Sequence, residues 1–294
     1  MSKILVTGPT GKVGSRLIRE LLSRGQEVRA FTRSGERSRF DSRVEITVGD
    51  FNDKKSILRA LEGVSQMYLL SAGPDLEVHE TNAIEAAHAA GIELIVKQSV
   101  ARAHNKSTGI LRRHRAGEER IERSGLPYVF LRPDSFTTNA LSWAETIKAS
   151  NTAYGALGDA AIPVIDPDDI AAVAAAVFTV PGHAGRTYEL TGPESLTSEQ
   201  QVATLATLLG RPLKYVNVQD HVARDNMLRT GMQPRQVEAL LGLTQTLRAA
   251  GRMEPTEDVR NVLGREPRSF QQWAEANLAA FQAAPTQQHD TAAG

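Results

Sequence analysis

The residues best suited to chemistry come first in the chain. TGPTGKVG, residues 7–14, sets glycines at 8, 11 and 14 between an apolar run and a helix-patterned segment. In that setting Gly8 permits a sharp turn, Gly11 lets a pyrophosphate approach the backbone, and Gly14 lets the helix pack on the strand. Helix N-terminal amides then face the negative charge. Pro9 stiffens the turn without adding a donor. A tight strand-to-helix turn with incidental glycines is the alternative. The next strand-like run ends AFTRSGERSRF, with Arg33 at the strand end and Arg37 and Arg39 close behind. An acidic residue there would meet a ribose 2′-hydroxyl, whereas an arginine accommodates a 2′-phosphate, so NADP(H) is favoured over NAD(H). A solvated basic loop, diluted by Glu36, is the competing account. Asp50-Phe51 ends the third run and could bracket an adenine. Leu70-Ser71-Ala72 ends the fourth, at the edge where ligands bind in such sheets.

These residues need elements to hold them. Through the first half, β-rich runs at KILVTG, 27–33, 44–50, 66–73, 92–100 and 127–133 alternate with helix-patterned segments at 12–24, 53–62, 77–90 and 110–124. Strands separated by helices of this length predict βαβ units, hence an α/β fold with a doubly wound parallel sheet. Beyond Pro133 the pattern predicts a helix at 135–149, an irregular stretch, a helix at 168–178 and a strand at 186–190. From Ser195 it is mostly helical, at 197–209, 219–230, 234–250 and 269–282, broken by Gly-Arg-Pro and LKYVNV (213–218). The expected division is a core over 1–192, with 136–161 contributing to the pocket, a small mainly helical subdomain over 193–283, and a disordered tail over 284–294.

Composition narrows the function classes. Hydrophobic residues make up 41% and charged residues 23%, the balance of an ordinary soluble protein. Lys plus Arg and Asp plus Glu both number 34, so no net field favours nucleic acid or an anionic membrane. The absence of cysteine removes disulfides, thiolate nucleophiles and cysteine-ligated metals. There is no HExxH, no other compact metal constellation and no GxSxG elbow. The N-terminus passes from Met-Ser-Lys straight into a strand-like run without signal-peptide regions, and a cytoplasmic location is expected.

Several stretches together point to one family. TGPTGKVG, VGDFND, IERSGLPYVFLRPDSF, IPVIDPDDIAAVAAAVF, LTSEQQVATLATLLGRPLKYVNV and REPRSFQQWAEAN resemble the NmrA-like atypical branch of the short-chain dehydrogenase/reductase superfamily. That branch includes NAD(P)H-dependent quinone reductases of the quinone oxidoreductase 2 type. The resemblance runs from about residue 4 to 282. It implies a Rossmann core with a small C-terminal substrate subdomain. It puts cofactor on Gly8, Thr10, Gly11, Lys12, Val13 and Gly14, on Arg33, Asp50, Phe51, Leu70 and Ser71, and near Lys97 and Pro133. Phe136 and Asn139 fall where the family's pocket wall begins. The segment 136–160 and the helices after 219 are expected to shape the substrate pocket, with Trp143 and Tyr154 as further wall residues. Ordinary packing is the competing role for each.

The wider superfamily reduces carbonyls with a tyrosine and a lysine four residues later, the lysine lowering the tyrosine pKa. Here Tyr68, Tyr128, Tyr154, Tyr188 and Tyr215 are followed at that spacing by Ala, Arg, Gly, Gly and Gln. The corresponding helix reads LRRHRAGEERIERSG, which offers His114 and Glu118 as an i,i+4 pair. The histidine could donate a proton while the carboxylate orients its ring. A surface helix of mixed charge is the bland alternative. A quinone is electrophilic enough to take hydride with little protein chemistry beyond positioning. The expected activity is therefore NADPH-dependent reduction of a quinone or similar conjugated carbonyl, a small-molecule substrate. The rival from another class is a non-catalytic NAD(P)-binding redox sensor acting through a protein partner. A third reading is an isomerase or a reductase of one specialised metabolite. Assembly as a homo-oligomer stays open.

Overall fold

Apolar runs flanked by helices on both sides become strands buried on both faces. A computed structural model describes residues 3–105 and 109–282. The tail expected at 284–294 lies outside the described residues. The strands are β1 (Lys3–Thr7), β2 (Glu27–Thr32), β3 (Glu45–Val48), β4 (Gln66–Leu69), β5 (Leu94–Gln98), β6 (Tyr128–Pro133), β7 (Thr152–Gly155), β8 (Arg186–Leu190) and β9 (Lys214–Asn217). Seven form one parallel sheet in the order β3-β2-β1-β4-β5-β6-β8. The order reverses between β1 and β4, and a Rossmann sheet opens its ligand crevice at that switch point.

Each face of the sheet has its own core. Helix α1 (Gly14–Ser23) places Leu17, Ile18 and Leu21 against Ile4, Val6 and Val28 on one face. On the other, α2 (Lys54–Leu61), α3 (Leu76–Ala89) and α4 (Gly109–Ser124) cover Leu5, Met67, Ile95 and Phe130. The Asp53 carboxylate caps α2 by accepting from the Lys55 N–H.

The region after Pro133 departs from expectation in three places. The helix expected at 135–149 begins as 3-10 turns over Thr137–Trp143 and becomes α5 only at Ala144–Ser150, ending on Asn151 in the left-handed region. The stretch expected to be irregular contains β7, which pairs in parallel with β9, drawn from the expected break at 213–218. After α6 (Pro167–Thr179), α7 (Ser198–Leu209), α8 (Asp220–Arg229) and α9 (Pro234–Ala250), a helix not foreseen, α10 (Asp258–Leu263), precedes α11 (Phe270–Ala276). Val259 of α10 is buried in the same core as α1 and α6. Trp143, Ala144, Ile147 and Ala153 pack instead with Val202, Leu205, Trp273 and Phe281. The hydrophobic clusters therefore cross the expected boundary at 192 in both directions. No helix among the described residues is long and apolar enough to cross a membrane.

Candidate active site

The glycine turn forms one wall of a cleft at the switch point. Gly8 adopts φ +60 and its carbonyl accepts from the Gly11 N–H at 3.0 Å, closing the turn over which α1 begins. Thr7 locks the neighbouring strand end, its hydroxyl donating to the Leu70 carbonyl at 3.0 Å and accepting from the Leu70 N–H at 2.8 Å. The cleft holds about 460 Å³ and is lined by the Gly8–Gly11 turn, Arg33, Asp50, Phe51, Ser71 and His79, among others.

Its far end is aromatic. Phe31 meets Phe51 edge-on at 5.3 Å, and Phe51 stacks on His79 at 5.4 Å. Ser71 Oγ hydrogen-bonds His79 Nδ1 at 2.9 Å, whereas His79 Nε2 is buried without a partner. Asp50 is held below the usual carboxylate range chiefly by the Asn52 backbone N–H at 2.8 Å, so it is ionised at neutral pH. Of the three arginines after β2, Arg37 donates to the Val44 and Ser42 carbonyls and Arg39 pairs with Glu36. Arg33 is exposed in the cleft and has no hydrogen bond or ion pair among the described residues.

A second cavity of about 340 Å³ adjoins the first at Ala72, which lines both. It runs between α4 and α9, with Ile110, Arg113 and His114 on one side and Met232, Arg235 and Leu240 on the other. His114 Nδ1 is buried and unpartnered. Burial, then the charges of Lys97 and Arg113, hold this imidazole well below its usual value, so it is neutral at neutral pH. The unfolded chain takes up this proton once the pH falls below about 6.5, while the folded chain refuses it until a lower pH. Stability is then lost with falling pH across that window. His114→Gln is expected to flatten the acid limb of a denaturation series by up to about 1.4 kcal/mol per pH unit.

The structure brings together Gly8, Thr10, Gly11, Arg33, Asp50, Phe51, Leu70 and Ser71 in the cleft. It directs other expected residues elsewhere. Lys12 reaches Asn139 Oδ1 at 3.5 Å on the rim, and the side chain of Val13 is in the core. Gly14 serves the packing of α1 against the turn. Lys97 is fully buried in an ion pair with Glu80 of α3, and Pro133 is buried at the end of β6. Neither lines the cleft.

Glu118 does not orient His114. Burial opposes its ionisation, but Arg132 of β6 overrides that with bonds of 2.9 and 2.7 Å, and Arg115 adds one of 3.0 Å. Phe136, Asn139, Trp143 and Tyr154 line neither cavity. Trp143 is tied down instead, its indole N–H donating to the Tyr154 carbonyl at 2.9 Å. None of the five tyrosines lines either cavity. Sequence reasoning missed His79, whereas α9 is one of the helices after 219 that were expected at the pocket.

Comparison with known proteins gives a consistent picture. A family model described as NAD(P)H-binding matches residues 8–181. A (4-alkanoyl-5-oxo-2,5-dihydrofuran-3-yl)methyl phosphate reductase of Streptomyces griseus is 35% identical over 281 residues, covering 95% of this chain and 99% of that one. An NAD(P)H azoreductase of Xenophilus azovorans is 30% identical over 285 residues, covering 96% and 100%. The structure of an NADPH-dependent quinone oxidoreductase of Escherichia coli, complexed with NADPH, superposes with a TM-score of 0.85 at 24% identity. It covers 94% of this chain and 99% of that one, a likeness of fold.

Proposed function

The chain belongs to the NAD(P)H-binding family, and from that premise we propose that it is a reductase that takes NADPH in preference to NADH. Its hydride acceptor is a quinone or similar conjugated carbonyl. The observation that carries this reading is the junction of two cavities at Ala72, one glycine-walled and the more polar of the two, the other largely apolar. Relatives named as reductases, an azoreductase among them, support an electron-poor conjugated acceptor.

The residues divide the work as follows. The turn amides before α1 meet the pyrophosphate. Arg33, committed to no hydrogen bond or ion pair among the described residues, meets the 2′-phosphate, and Asp50 with the Phe31–Phe51–His79 row holds the adenine. When bound, the reduced nicotinamide supplies hydride from C4. The acceptor gains that hydride and one proton, so a quinone leaves as its hydroquinone and NADPH as NADP⁺. Neutral His114 hydrogen-bonds the acceptor oxygen from the cavity wall, and water supplies the proton. Glu118, already engaged by Arg132, takes no part. The walls of Ile110, Met232 and Leu240 exclude water from the acceptor's ring.

Mixing the purified protein with NADPH and a panel of quinones, while following the reduced cofactor's absorbance, tests the activity. Turnover with at least one quinone is expected. Tight NADPH binding with no turnover of any conjugated carbonyl would overturn it. Arg33→Asp is expected to weaken NADPH about ten- to a hundredfold, the worth of charge-assisted hydrogen bonds, and NADH far less. Equal losses would show that Arg33 does not touch the 2′-phosphate.

A further inference from the structure

The cavity between α4 and α9 carries a charge imbalance that a neutral quinone leaves unanswered. Arg113 and Arg235 enter it from opposite walls, and no carboxylate is among its lining residues. Among the described residues Arg113 is held by carbonyls alone, its Nε donating to Gly109 at 3.0 Å and its Nη1 to Gly73 at 3.4 Å. Arg235, on the first turn of α9, has no hydrogen bond or ion pair among the described residues. The nearest glutamate on that helix, Glu238, is committed to Arg224 at 3.0 Å.

Two nearby arginines are met by carboxylates instead. Arg115, two residues from Arg113, is met by Glu118, Glu119 and Glu122, and Arg132 by Glu118 and Glu189. Arg113 is half-buried and Arg235 exposed, and like charges on facing walls cost Coulomb energy and raise a positive potential in the cavity between them. An anion between them removes that cost and gains charge-assisted hydrogen bonds.

We propose that this cavity selects acceptors that carry an anionic substituent, such as a phosphate, sulfonate or carboxylate, on an apolar conjugated body. The anion lies between Arg113 and Arg235, and the body lies against Leu76, Ile110 and Met232 toward Ala72. The inference rests on the reductase reading for its chemistry but not for its binding.

The test compares a naphthoquinone with its sulfonated derivative at low ionic strength, in wild type, Arg235→Gln and Arg235→Lys. The sulfonated compound is expected to have a KM about tenfold lower. That ratio should collapse toward one in R235Q, recover in part in R235K, and shrink as salt is added. An equal KM for the two quinones, or a ratio unchanged in R235Q, overturns the proposal and leaves the reductase reading standing. If neither quinone is turned over, the wider panel of conjugated carbonyls decides the reductase reading. Calorimetric titration of the sulfonated compound into protein saturated with NADP⁺ then decides the anion site. Binding that weakens in R235Q supports it, and binding indifferent to R235Q, or none, overturns it.

Discussion

Replacing Gly14 by alanine is expected to abolish useful dinucleotide binding and to destabilise the fold, whereas the same change at Gly11 leaves the fold intact. A Cβ at Gly14 would stand 2.2 Å from the Gly8 carbonyl oxygen and 2.9 Å from its carbon. Both are backbone atoms of the turn, and no side chain can swing away to relieve them. Overpacking of this kind costs about 1–3 kcal/mol, and here it acts on the segment whose amides must face the phosphates. Displacing those amides weakens every hydrogen bond they make to the pyrophosphate. At Gly11 the Cβ would meet only the Gly8 oxygen, at 3.2 Å, and otherwise points into open space. That variant should unfold at nearly the wild-type denaturant midpoint while binding NADPH more weakly, because the methyl stands where a phosphate must approach. Denaturant unfolding and cofactor titration on both variants check the pair. A G14A protein that binds NADPH as wild type does would remove the turn from the site.

The contrast explains why this half of the site was legible in the sequence. Gly8, Gly11, Gly14 and Arg33 act through local geometry: a turn, a helix start and a strand end, each specified within a few residues. Arg33 was singled out from Arg37 and Arg39 by its place at the strand end, and the folded loop adds that Arg37 is spent on the Ser42 and Val44 carbonyls. The parallel sheet was legible for a similar reason, since β1, β2, β5 and β6 are short apolar runs buried on both faces.

The cavity between α4 and α9 was legible only in part: His114 and the helices after 219 were expected at a pocket, but nothing local pairs α4 with α9, which are far apart in the chain. The helical i,i+4 rule pointed from His114 to Glu118, but a bidentate guanidinium from the neighbouring strand outcompetes an imidazole for a buried carboxylate. Trp143 and Tyr154 looked like pocket walls because aromatic residues after a Rossmann core can serve either role. Trp143 went to the core, lying edge-on to Tyr215 at 6.4 Å, whereas Tyr154 is left exposed. Nothing in the local sequence marks His79, on α3, as a site residue. Its place becomes visible only when Ser71 and Phe51 arrive from two different strand ends.

Lys97 is the residue whose reading changed most, and its removal should have the second large effect. Its ammonium and the Glu80 carboxylate are both sealed from solvent, and Glu80 Oε2 has no hydrogen-bond partner. Gly117 of α4 closes over the pair so tightly that a Cβ there would sit 1.8 Å from that oxygen. Burial pushes the Glu80 carboxyl up, opposed by Lys97. Lys97→Met therefore strands a buried carboxylate, which costs about 3–5 kcal/mol of unfolding free energy. Glu80 in that variant escapes by holding a proton that it releases on unfolding. The folded state then binds more protons than the unfolded one, so the deficit should shrink as the pH falls toward the ordinary glutamate range and widen as it rises. Adding Glu80→Gln removes the stranded charge and should recover most of the loss at neutral pH. NADPH titration of the double variant then separates the two roles open to Lys97. A dissociation constant near wild type is expected if Lys97 only braces α3 and α4 beneath the site, whereas weak binding in a protein restored to stability would return Lys97 to the cofactor.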